Sequence, residues 1–343
     1  MVENQIISGR NHNLDLVKVF ACIAVVGLHT LHKDISVINS TLYYLCGFAV
    51  PVFFVASGYV LLNRKEIALK YIISKIASVM RLVICWSVIA FFAKLVLDWL
   101  SKDLTDYSLV SLPKLIVNTL LQRDVLWHFW YFGALMIVYA CSPLLSKAKK
   151  YLKLIWLGLV GVSCIIQILS YVVGTPLQSR CIQTFRIWTW LQYFILGGLL
   201  GSDSLTRGLG KIKITMKMHT VCLLLITLWI AIFQNIAGRY WLHNSYAEYF
   251  YDSPSMMIWV IMLFTWVLRL PLSEKVIEII KKVAPLTLGI YILHPLIMRI
   301  IGPFIKVHSF GMSFMYFIAI LLLSVIAVAV ISRIPIVKRL IEL

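Results

Sequence analysis

Apolar runs of about 18–23 residues, separated by short polar or basic stretches, recur along the whole chain. Each is long enough to cross a hydrocarbon core about 30 Å thick as a helix. The pattern predicts ten spans, at approximately 14–31, 42–62, 77–98, 128–146, 152–173, 185–202, 218–236, 255–270, 286–305 and 312–332. The first run is too long and too charged for a cleaved signal peptide, and no small-residue cleavage site follows it, so it reads as a retained helix. The longest pieces between spans are 99–127 and 237–254, and within the first of these Leu109 to Leu121 reads as an interfacial helix. With no repeat or low-complexity tract, the expectation is a single all-α polytopic membrane domain over 1–343 with no appended soluble domain.

Composition agrees with the pattern. The chain is 61% hydrophobic and 13% charged, with a mean hydropathy of +0.91, which excludes an ordinary soluble domain. The charges then suggest an orientation. If the N-terminus is cytoplasmic, 20 of the 32 Lys and Arg residues fall in cytoplasmic segments, among them Arg10, Arg64, Lys65, Lys75, Lys149, Arg207, Lys211, Lys213, Lys281, Lys338 and Arg339. Eight fall in the opposite loops, Lys33, Lys102, Lys114, Arg123, Arg180, Arg186, Arg239 and Lys306, and Lys18, Arg81, Lys94 and Arg299 lie within or at the edges of spans. The positive-inside rule thus places both termini in the cytoplasm. The net charge of +18 is read as topology and attraction to anionic lipid, not nucleic-acid binding. Of the seven cysteines, only Cys181 lies outside the spans. None has CxxC or Cys/His metal spacing, so no metal is expected. Gly208-Leu209-Gly210-Lys211 lacks the spacing and the Ser/Thr of a phosphate-binding loop, which argues against an ATP-driven pump.

Ionisable residues inside these spans carry the chemical signal, because each costs at least about 2.5–3.5 kcal/mol to insert and usually faces a bundle interior or a wet cavity. Lys18 and His29 are eleven residues apart. On a helix that returns to within roughly 20° of the same face, about 16 Å further along the axis. Asp15 and Cys22 lie on or near the same stripe. His29 reads either as a packing histidine bonded to a neighbouring helix or as a base that takes a proton from a hydroxyl. Lys18 reads either as a snorkelling lysine or as a cation facing a cavity, with Asp15 at i−3 holding it. Trp127-His128-Phe129-Trp130-Tyr131-Phe132 opens the fourth span, where an aromatic belt is expected but a histidine is not. His294 precedes Pro295, which frees a carbonyl one turn back that His294 or Tyr291 can satisfy or expose to a ligand. Arg81, near the cytoplasmic end of the third span, suits phosphate recognition. Ser57-Gly58 offers a small patch for close helix approach.

Taken together, these motifs resemble the acyltransferase family 3 membrane O-acyltransferases of bacteria, the type that includes O-antigen and other surface-polysaccharide acetyltransferases. The matching segments are Leu14-Asp15-Leu16-Val17-Lys18 through Gly27-Leu28-His29-Thr30, Pro51 to Tyr59, Trp127 to Phe132 through Ser142-Pro143-Leu144, and Leu288 to Pro295. Where that family often carries Arg-x-x-Arg before the third span, this chain reads Lys75-Ile76-Ala77-Ser78, with Arg81 three residues later. The resemblance implies transfer of an acetyl group from cytoplasmic acetyl-CoA, a cosubstrate, to a hydroxyl of a lipid-linked or surface saccharide across a bacterial inner membrane. It implies Lys18, Lys75 and Arg81 as the phosphate-binding set. His29, with Asp15, His128 and His294, forms the acid–base set, and Trp127, Trp130, Ser57 and Tyr291 face the acceptor. The rival readings are a proton-coupled secondary transporter using the same His/Lys/Asp stripe and a glycan-export protein with no acyl donor.

Overall fold

The computed structural model describes residues 10–101, 111–202, 215–334 and 340–341. Lys102, Arg207, Lys211, Lys213, Lys338 and Arg339, which entered the charge count above, lie outside the described residues. Every regular element among the described residues is helical. In chain order they are α1 (His12–Thr30), α2 (Val37–Leu45), α3 (Ala49–Leu61), α4 (Leu69–Ser101), α5 (Ser111–Leu120), α6 (Trp130–Lys147), α7 (Leu152–Val173), α8 (Ile187–Leu200), α9 (Met216–Ile236), α10 (Pro254–Leu268), α11 (Glu274–Val283), α12 (Thr287–Ile301) and α13 (Phe310–Ile331). Seven stretches are long and apolar enough to cross a membrane: those of α1, α2 with α3, α4, α6, α7, α9 and α13. The apolar helices α8 and α10 are shorter. α12, with 15 residues, occupies the expected ninth span. This is a multi-pass membrane protein. The second span is not one helix, because the backbone turns at Cys46–Phe48 and restarts at Ala49.

Burial divides the helices into an inner and an outer set. More than half of the apolar window of α1, of α2–α3 and of α6 is buried, against 17% for α7 and 22% for α13. The outer helices turn their few polar residues inward. On α13, Ser313, Tyr316, Ile320, Ser324 and Val328 are buried at helical spacing, while Met315, Leu322 and Ile326 are exposed. On α7, Ser163, Gln167 and Ser170 are buried and Leu154, Ile165, Ile168 and Val172 face outward. Lipid solvates leucine as well as a protein core does, so such helices associate through small and hydrogen-bonding residues.

α1 is the hub, packed against α2, α3, α10, α11, α12 and α13. It starts where the Asn11 side chain accepts from the Leu14 N–H, satisfying one of the orphan donors of the first turn. Asn13 ties it to the end of α10 by donating to the carbonyls of Val267 and Leu270, at 2.8 and 2.9 Å. α3 and α8 approach most closely. A Cβ on Gly58 would lie 1.8 Å from the Phe194 carbonyl oxygen, and one on Gly197 would lie 1.9 Å from that of Val55. Only glycine permits this contact. It fixes the position of α3, whose Phe53, Ala56, Ser57 and Val60 form one wall of the site.

Candidate active site

The polar stripe of α1 faces α12. The Cys22 thiol donates to the Thr287 carbonyl at 3.4 Å, and seven residues further along both helices His29 Nδ1 stands 2.7 Å from His294 Nε2. The two helices therefore run parallel and in step. Beside them, bounded also by α3, α4 and α6, opens a cavity of about 590 Å³. At one end stand Arg10, Asp15, Lys18 and Lys75; its walls include Ser57, Tyr71, Tyr131 and Tyr139, and Phe132 and Tyr291 also line it. Asp15 accepts from Arg10 Nε at 2.5 Å and from Lys18 Nζ at 3.4 Å. One carboxylate against three cations leaves this end positive. Arg10 and Lys18 also reach solvent, so an anion can be met there without full desolvation.

The histidines cluster outside the cavity lining. None of His29, His128 or His294 lines the cavity, whereas Tyr291 does. The Tyr291 ring lies 5.5 Å from His128 and 6.1 Å from His294, centre to centre, and His128 lies 5.9 Å from His294. Trp127 meets His29 edge-on at 4.9 Å. Hydrogen bonding orders the protons of the pair. His294 Nδ1 lies 2.9 Å from the Ile290 carbonyl, which can only accept. With both rings neutral, His294 Nδ1 carries its proton and Nε2 offers a lone pair. His29 Nδ1 must then donate, which leaves His29 Nε2 as a free base. Second-partner orientation of this kind is how an imidazole is held ready for proton transfer. His128 is fully buried, its ring edge-on to Phe129 and Tyr291. Among the described residues no group of three His, Cys, Asp or Glu side chains is arranged to hold a metal ion.

Two expected residues, Arg81 and Trp130, are not where the sequence suggested, whereas Asp15 holds Lys18 as expected. Arg81 is exposed and does not line the cavity. It is six residues, or about 240°, beyond Lys75 on α4, so the two cannot share a face. Trp130 is buried against Trp190, 5.1 Å away, instead of facing His29. The 3₁₀ turn Trp127–Phe129 changes the phase before α6 starts and sends Trp127 toward His29 and Trp130 into the core. Asp15 belongs to the charged end. It is fourteen residues from His29, about 21 Å along α1, and it organises Arg10 and Lys18 without reaching the histidines.

The family model described as an acyltransferase domain matches residues 11–333. The chain belongs to acyltransferase family 3. It is also similar to an amino-acid racemase of Enterococcus faecalis, 25% identical over 320 residues, a match that takes in 85% of this chain and 42% of the relative. No solved structure matches. In this family 3 chain, the residues that sequence reasoning missed are Arg10, counted above only as a topology charge, and the tyrosines Tyr71, Tyr131 and Tyr139. Tyr71 and Lys75 at i and i+4 share a helical face, a signal that was available in the sequence. Ser57 faces the hydroxyls of Tyr131 and Tyr139, a contact between helices that no spacing announces.

Proposed function

We propose that this family 3 chain is a transmembrane O-acyltransferase of the bacterial inner membrane. It takes an acetyl group from cytoplasmic acetyl-CoA and transfers it to a hydroxyl of a lipid-linked or surface saccharide, O-antigen or similar, on the opposite side. The observation that carries this reading is the division of the interior into a cation-ended cavity and an adjoining histidine pair. Arg10, Lys18 and Lys75 suit the phosphates of coenzyme A. Lys18 and His29 are separated by about 16 Å along α1, a length that an extended pantetheine arm spans. The parallel course of α1 and α12 is what alternating spans require of the first and the ninth, and the excess of Lys and Arg in the segments on the N-terminal side supports cytoplasmic termini.

In this reading His29 Nε2 accepts the proton of the acceptor hydroxyl as its oxygen attacks the thioester carbonyl. The developing imidazolium is stabilised by its Nδ1–H bond to His294 Nε2. Collapse of the tetrahedral intermediate breaks the carbon–sulfur bond, and the departing thiolate takes the proton back from His29. The products are the acyl ester and free coenzyme A. Trp127 supplies the apolar face against which a sugar ring stacks. Membranes containing the protein should consume labelled acetyl-CoA, and mass spectrometry should find the acetyl ester on a cell-surface glycan that is absent without the gene. If the parent protein neither binds nor consumes acetyl-CoA, the donor assignment fails.

A second reading is the proton-coupled transporter that uses the same His/Lys/Asp stripe, and the name of the racemase relative points to an amino acid as the cavity's occupant. Arg10, Lys18 and Asp15 offer partners for a carboxylate and an ammonium at one point. Binding of labelled amino acid, with none of acetyl-CoA, would select it.

A further inference from the structure

Tyr291 stands between the cavity and the histidine cluster and is tied to the cluster at both ends. Its hydroxyl donates to the His128 carbonyl. Its own carbonyl is the one that Pro295, lacking an N–H, leaves without a helical donor, and the His294 ring lies against it. The side chain is buried, yet it forms part of the cavity lining. A thioester entering from the Arg10–Lys18 end therefore meets the face of Tyr291 and Phe132 before any histidine. His128 belongs to the same 3₁₀ turn as Trp127, whose ring touches His29, so a ligand seated against Trp127 bears directly on the carbonyl that holds the tyrosine.

We propose that Tyr291 is a latch between the donor cavity and the histidine pair. Held by the His128 carbonyl, the phenol closes the cavity and keeps the thioester, and any water that accompanies it, away from the base. Displacement of the Trp127–Phe129 turn by the acceptor releases the hydroxyl, the ring swings aside, and the cavity opens to the histidine pair. The consequence is coupling: donor is spent only when acceptor is present. The thioester and acceptor roles rest on the acyltransferase reading, whereas the closure itself does not.

Two measurements separate these. In the full-length protein in inside-out vesicles, a membrane-impermeant maleimide is applied to His29→Cys and, separately, to Ser57→Cys, with labelling at each position read by peptide mass spectrometry. The ratio of the rate at 29 to that at 57 should rise at least tenfold when Tyr291→Phe is added, because Phe keeps the ring and loses only the bond to the His128 carbonyl. Tyr291→Ala should raise it further. An unchanged ratio in both backgrounds overturns the latch, whatever the substrate. In the second measurement His29 is intact and no acceptor is supplied. Tyr291→Phe should then hydrolyse labelled acetyl-CoA several-fold faster than the parent at unchanged donor affinity. A raised labelling ratio with no binding of acetyl-CoA by either protein would keep the latch and reject the acyltransferase reading. A raised ratio with donor bound normally and hydrolysis unchanged would reject the coupling role of Tyr291.

Discussion

Two regions of this protein bury polar side chains, and they differ in what they leave open. One is the cavity and histidine pair at α1 and α12. The other lies where the turns at Leu177–Arg180 and Gln183–Phe185 meet the segment Ala247–Ser253. There the buried Asp252 accepts from Thr189 Oγ1 at 2.6 Å, Trp188 Nε1 at 3.2 Å and Gln178 Nε2 at 3.3 Å. Arg186 Nη2 pairs with Glu248 at 3.3 Å, and the Gln183 amide donates to the same carboxylate. None of these residues lines the cavity. Their carboxylates are enclosed by donors of the same chain. In the first region, by contrast, the cations end a cavity and His29 keeps a lone pair free. A buried charge enclosed by donors of its own chain organises the fold. A half-buried base with a free lone pair is placed to act on something else.

That contrast is broken or sharpened first at its two centres. His29→Ala should lower acyl transfer by about 10²–10⁴-fold, the usual range for general acid–base help, with membrane insertion unchanged. Near-parental transfer would place the chemistry elsewhere. Asp252→Ala should do the reverse. Removing one partner from a buried charged network costs about 3–5 kcal/mol, read as a lower melting temperature in detergent, while activity per folded molecule stays close to that of the parent. A stable Asp252→Ala protein that has lost activity would move the second region into the site.

Smaller effects test the edges. Lys18→Ala and Arg10→Ala should each raise the Michaelis constant for acetyl-CoA about tenfold, the low end expected for a charge-assisted contact that still reaches solvent, with turnover changed less. Burial pushes the carboxyls of Asp252 and Glu248 above the usual range, although hydrogen bonds and Arg186 pull the other way. A carboxyl whose folded value exceeds its unfolded one binds its proton more tightly in the folded state. Its contribution to stability is therefore full below the unfolded value and is lost as pH rises through the folded one. The parent should thus gain stability on acidification toward that window, and Glu248→Gln should show a smaller gain. Arg81→Ala, altering an exposed residue away from the cavity, should leave the acetyl-CoA Michaelis constant within twofold of the parent.

How far each feature could be read from sequence depended on its range. The Lys18–His29 stripe was legible because helical period acts within one element, and the side chains point where 3.6 residues per turn send them. Pro295 and the Gly58 patch were legible for the same reason. Arg81 was misjudged because a cation near a membrane boundary carries no sign of which neighbour it faces. Trp130 was misjudged because a single 3₁₀ turn rotated every later position in the helix. The hydrogen bond from His29 Nδ1 to His294 Nε2 spans 265 residues, and nothing local encodes it.

The amino-acid order by itself determined that the chain is helical, lies in a membrane, belongs to acyltransferase family 3 and carries an acid, a base and an imidazole on one face of its first helix. These follow from local hydropathy, local period and linear motif. Only the tertiary structure decided that Arg10 joins Lys18 on Asp15, that His294 orients His29, that Trp127 meets His29 while Trp130 packs into the core, and that Tyr291 lines the cavity with its hydroxyl on the His128 carbonyl. Each of these depends on which helices meet. In lipid that choice is made by close contacts such as Gly58 on Phe194 and by hydrogen bonds between distant segments, not by hydrophobicity that every helix shares.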